Sequence, residues 1–112
     1  LKTVQKFFPL IKRRRWTKAE KYLELTMKKL GEDEWISGYV HALSGMIAAL
    51  KMSNSPPEPY IVKLEDFGKK KLKEVKEIFT DFSDIMDSKN TFDAAFFRAW
   101  EDFTQYALKN QD

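Results

Sequence analysis

One histidine limits the chemistry open to this chain of 112 residues. Any imidazole base or ligand must be His41, with Ser37 four residues before it and Ser44 three after. On a helix those three share a face, but a nucleophilic serine needs a sharp, exposed turn with amide donors beside it. Both serines fall mid-helix, where a hydroxyl bonds to the carbonyl of the preceding turn. His41 therefore reads as a surface or boundary histidine, no catalytic residue is assigned, and a non-enzymatic chain is expected. Carboxylates give the second test. Asp81, Asp84 and Asp87 recur every third residue and Asp93 follows, a set of oxygen ligands that suits Mg²⁺ or Ca²⁺. A calcium loop started at Asp87 would need glycine where Phe92 stands and a carboxylate where Arg98 stands. The Glu-x-x-His signature of di-metal bundles fails too, because Gly38 lies three before His41. The acids read as a solvated face opposite Phe79 and Phe82, with no metal and no cofactor expected. The four glycines stand singly, which excludes a phosphate-cradling loop.

The basic stretch is the strongest chemical signal. Lys12, Arg13, Arg14 and Arg15, with Lys18 and Lys21 beside Trp16, combine phosphate-neutralising charge with a stacking platform, as non-specific nucleic-acid binding requires. A second group, Lys69, Lys70, Lys71, Lys73 and Lys76, extends it only if the fold brings the two together, and Glu74 and Glu77 intersperse it. A helix-turn-helix is excluded, because the recognition helix would begin Glu32, Asp33, Glu34, which phosphates repel. Net charge is only +3 but uneven: residues 1–30 hold ten Lys/Arg against Glu20 and Glu24, a net +8, and the rest hold ten against fifteen acids, a net −5.

The elements that must position these residues are helical. Charged residues make up 33% of the chain and aromatics 14%, with no cysteine, which fits one domain over 1–112 with a bulky core and no disulfide or thiolate site. No apolar run reaches the length of a signal peptide or a membrane span, so a soluble, cytoplasmic protein is expected. Segment 33–52 is the centre. Ile36, Tyr39, Val40, Leu43, Met46, Ile47 and Leu50 form an apolar stripe. Gly38, Ala42, Gly45 and Ala49 form a row of small residues beside it, read as a close contact for neighbouring helices. Only Ser37, His41, Ser44, Ala48 and Lys51 are left for water.

Around this centre the spacing predicts helices at 17–30, 61–87 and 91–109. A short N-terminal helix, built on Leu1, Val4, Phe7, Phe8 and Ile11, should end near Phe8 because Pro9 follows. Thr17 with Glu20 forms a capping box, Gly31 ends the second helix in a left-handed conformation, and Asn90 or Thr91 caps the last. Gly68 marks a kink or a late start. Residues 53–60, with Pro56, Pro57 and Pro59, are a stiff connector that could also meet a proline-recognising partner. No segment alternates apolar and polar residues, so no sheet is expected. The fold expected is all-α: a four-helix antiparallel bundle with an additional short N-terminal helix.

The helix–Gly–helix unit over 16–50 resembles a tetratricopeptide repeat through Ala42, Met46 and Ala49. It departs from that family in its longer loop after Gly31 and in having no second copy about 34 residues on. In composition and general pattern the chain also resembles small uncharacterised all-helical proteins of hyperthermophilic archaea, a resemblance that implies no function. The leading expectation is a protein-interaction or assembly domain, homo-oligomeric through leftover apolar surface such as Leu25, Phe97 or Phe7 and Phe8. The alternative is nucleic-acid or other polyanion binding through the basic N-terminal segment, 1–16, and its neighbours Lys18 and Lys21.

Overall fold

Helix caps and proline placement divide the described residues into six helices. A computed structural model describes residues 5–31, 33–52 and 57–110. The helices are α1 (Phe7–Lys12), α2 (Trp16–Leu30), α3 (Glu34–Lys51), α4 (Tyr60–Glu65), α5 (Lys69–Met86) and α6 (Thr91–Lys109), with no strand among the described residues. Two starts are fixed by side chains. Asp33 accepts the amide of Ile36 at 2.8 Å and Asn90 that of Asp93 at 3.0 Å, each satisfying a donor the helix leaves open. Gly31 ends α2 at φ 90°, ψ −174°, with its amide on the Met27 carbonyl. Its φ is positive as expected, but its ψ is extended rather than left-handed helical, in a region essentially reserved for glycine.

Three local expectations are corrected. Pro9 does not end the first helix near Phe8: it lies in the first turn of α1, where its missing amide would have had no intrahelical acceptor. The Thr17–Glu20 capping box does not form, because α2 begins at Trp16 with Arg15 as an N-cap without a side-chain bond, and Glu20 instead pairs with Lys51 at 2.6 Å. The helix predicted over 61–87 is two helices, α4 and α5, broken at 66–68, with Gly68 capping α5 in an extended conformation. Leu1, Val4, Glu32 and the first part of the 53–60 connector lie outside the described residues.

The packing also departs from the expected four-helix bundle. The Glu20–Lys51 pair joins the first half of α2 to the end of α3, which run antiparallel. The widest interfaces are those of α6 with α5 and with α3, while α2 rests on α3 and α1, and α4 on α3. The four long helices thus run in the order α2, α3, α6, α5 rather than closing a square. α6 takes an inner place because it buries two faces. Gly38 of α3 sits so close to it that a Cβ there would lie 2.1 Å from the Phe92 carbonyl oxygen. On its other side Ser83 of α5 donates to the Ala94 carbonyl at 2.8 Å, and Thr80 donates to Glu101. α1 covers one end, with Phe8 5.7 Å from Phe103 and 5.5 Å from Tyr106 between ring centroids.

Candidate binding surfaces

Of the basic N-terminal residues, Lys12, Arg13, Arg15, Lys18 and Lys21 are exposed. Arg14 is exposed as well, with its side chain 45% accessible, but its guanidinium is occupied. It follows α1 at φ 59°, a positive value uncommon outside glycine, and its guanidinium donates to the Ile11 carbonyl at 3.1 Å and to Glu65 at 3.3 Å. The same group lies 5.8 Å from the Trp16 ring, which is half-buried. This arginine fastens the α1–α2 corner to the end of α4 and covers the aromatic platform the segment was expected to offer.

The second lysine group divides by helical spacing. Lys69, Lys73 and Lys76 fall at i, i+4 and i+7, on one stripe of α5, and line a cleft of about 420 Å³ against Gln105, Leu108 and Lys109 of α6. Glu77 is the one acid in its lining. None of these four lysines is ion-paired with another described residue. Gln105 and Lys109 also border a second hollow, of about 320 Å³, floored by Tyr39 and Asp102 and walled by Phe8 and Tyr106. Arg13 lies near enough to Tyr106 for its charge to act on the phenol, so the N-terminal cations and the α5 lysines approach α6 at the same end.

In the second hollow the Tyr39 hydroxyl donates to Asp102 at 2.5 Å. Tyr39 is fully buried, and burial, then the charge of Asp102, drives its ionisation far above the usual phenol range. At neutral pH it is a fixed donor, a polar tie between α3 and α6 rather than a general base.

The apolar surface matches the expectation at Leu25 and departs from it at Phe7 and Phe8. Phe7 and Phe8 are 0% and 4% exposed and belong to the core, Phe97 is half-buried, and Leu25 is exposed at 54%. On α5, Ile78, Phe82 and Ile85 are exposed at 49%, 44% and 54%. They share one face at i, i+4 and i+7, and Phe82 touches Phe97 of α6 at 5.1 Å between centroids. Helical spacing places Glu74 and Asp81 along the same face, and Asp93 four residues before Phe97. A third groove, about 450 Å³, runs between α2 and α3 over Leu23, Met27, Val40 and Ile47 and ends at the Glu20–Lys51 pair.

His41 is exposed beside the rings of Phe92 and Phe96, at 5.6 and 6.1 Å. Asp84 faces Arg98 at 3.7 Å, and Arg98 also holds Glu101 at 3.0 Å. Among the described residues no cluster of three or more His, Asp or Glu is placed to hold a metal ion, and no helix is long and apolar enough to cross a membrane. Sequence reasoning passed over Asp102, Gln105 and Lys109. Their i, i+3 and i+7 spacing was legible, but nothing in the sequence shows that α5 brings three lysines to them. No protein-family model matches the chain, and neither a curated protein nor a solved structure matches it.

Proposed function

We propose that this chain is a non-enzymatic interaction domain that docks a basic amphipathic helix on the Ile78–Phe82–Ile85 face of α5. The observation that carries this reading is the exposure of three large apolar side chains in helical register beside Phe97. From Ile78 to Ile85 the strip is about 10 Å long at 1.5 Å per residue, two turns of a partner helix. Charge selects the partner's sign, since Glu74, Asp81 and Asp93 border the strip and favour lysine or arginine flanking the partner's apolar stripe.

The test is titration of the full chain with a labelled leucine–lysine amphipathic peptide and with its leucine–glutamate counterpart. Covering Phe82 removes about 90 Å² from water, on a Phe side chain of roughly 200 Å², worth about 2 kcal/mol at most. Binding of the basic peptide alone, weakened tenfold or more by Phe82→Ser, is expected. Equal binding of both peptides, or no effect of Phe82→Ser, refutes the reading. Light scattering across concentrations covers the other occupant: a dimer dispersed by Ile78→Ser with Phe82→Ser would assign this face to a second copy instead.

A further inference from the structure

A different face of the same helix carries a second site. We propose that the cleft between the start of α5 and the end of α6 binds single-stranded nucleic acid. In this site Lys69, Lys73, Lys76 and Lys109 hold successive phosphates, and the adjoining hollow beside Tyr106 and Gln105 takes a base.

The lysines are not placed to stabilise their own helix. Lys69, Lys70 and Lys71 form the first turn of α5, which has no acidic residue and no side-chain cap. Cations there oppose the positive end of the helix dipole. Lys69, Lys73 and Lys76 line the cleft from one side and Lys109 closes it from the other, with no ion pair to another described residue. Four ammonium groups line a hollow of about 420 Å³ with Glu77 as its one carboxylate, a net charge of about +3 that favours an anion between them. The stripe from Lys69 to Lys76 is about 10 Å long, enough to follow a strand's backbone past more than one phosphate.

The neighbouring hollow distinguishes a nucleic acid from other polyanions. It shares Gln105 and Lys109 with the lysine cleft and adds Tyr106, Phe8 and Gln5 over a floor of Tyr39 and Asp102, whose carboxylate accepts the Tyr39 hydroxyl. A ring and two amides are groups that stack on a base and bond to its edge, and an acidic peptide has no use for them. A membrane surface is flat, whereas both hollows are concave. A hollow that takes a base needs that base unpaired, which selects a single strand over a duplex. Arg13, close to Tyr106, extends the positive field along the strand's path.

Fluorescence anisotropy of a labelled mixed-sequence strand of about twelve nucleotides, as RNA and as DNA, tests this on the full chain. Binding should fall with salt at a log–log slope near −2 to −3, the value for three or four phosphates on a single strand. Lys73→Ala, Lys76→Ala and Lys109→Ala together should weaken it at least tenfold and make the slope shallower by about 2, while Arg15→Ala with Lys18→Ala and Lys21→Ala, exposed cations outside the cleft, changes it less than threefold. Circular dichroism melts of both variants confirm that they fold. Absence of binding at low salt overturns the proposal, as does equal loss in the two variants, which would mean the general field of the protein. Equal binding of polyglutamate or of phosphatidylserine vesicles, with the same dependence on the three lysines, also overturns it.

Discussion

Gly38 and Gly45 lie two turns apart on α3, and the structure assigns their replacement by alanine opposite signs. A Cβ on Gly45 would meet nothing within 4 Å, so Gly45→Ala gains the helix propensity difference of about 0.8–1.0 kcal/mol. A Cβ on Gly38 would lie 2.1 Å from the carbonyl oxygen, 2.8 Å from the carbonyl carbon and 2.9 Å from the Cα of Phe92. Those are backbone atoms, and no rotamer moves them away. Restoring ordinary contact requires α6 to retreat by roughly 1 Å, against packing as dense as a crystal of small molecules. The retreat pulls on the Tyr39–Asp102 bond and on buried Ala42, Ala95 and Ala99. Overpacking of this kind costs about 3 kcal/mol at the upper end of its usual range, and subtracting the propensity gain leaves a net loss of about 2 kcal/mol. Urea titration and thermal melts followed at 222 nm read both variants. For a chain of this length 1 kcal/mol corresponds to about 4 °C, so the melting temperatures should differ by about 12 °C. Equal stabilisation by the two alanines would refute the close approach of α3 to α6.

Three further outcomes follow. Tyr39→Phe should lose about 1.5–3 kcal/mol at pH 7, the worth of a hydrogen bond to a charged group, read by urea titration. In the parent protein stability is fully present below pH 10, the phenol's unfolded value, and falls above it as the unfolded chain releases a proton that folded Tyr39 keeps. That slope reaches about 1.4 kcal/mol per pH unit for this group, and an alkaline titration should find it reduced in Tyr39→Phe. Asp33→Ala and Asn90→Ala should each cost about 1 kcal/mol as lost caps, whereas Thr17→Ala, at the capping box the sequence implied, should stay within about 0.5 kcal/mol. Gly31→Ala should cost about 1–3 kcal/mol, because φ 90° with extended ψ strains any residue bearing a Cβ; the same melts check it.

Much of the architecture was legible where local rules act alone. The helix at 33–52 and the last helix follow from spacing, and Asn90 from cap chemistry. Errors arose where a local signal had a tertiary competitor. Thr17 and Glu20 satisfy a sequence pattern, but Lys51 from another helix takes Glu20. Pro9 signals a helix end or a helix start, and only the position of the flanking turns distinguishes them. Phe7 and Phe8 looked like spare apolar surface because their cover is distant in sequence: Phe8 packs on Phe103 and Tyr106, nearly a hundred residues away. The small-residue row was half right, since Gly38 and Ala42 are buried in contact and Gly45 faces open space. Of the basic residues, the sequence showed the charge but could not show that Arg14 is occupied by Ile11 and Glu65, or that Lys109 faces the α5 stripe.

The inner position of α6 also bears on how the chain reaches this structure. α2 with α3, and α5 with α6, are hairpins of sequence neighbours, and contacts such as Ser83 to Ala94, eleven residues apart, close short loops. The bond from Tyr39 to Asp102 spans 63 residues, and the docking of Phe8 on Phe103 spans more. Local pairing is fast and costs little loop entropy, while distant pairing meets the closure cost before any contact rewards it. Two hairpins that form early and a later, rate-setting union along Gly38, Ala42 and the start of α6 are the folding order this topology favours. Gly38 then stands at the seam where two independently formed halves become one cooperative unit.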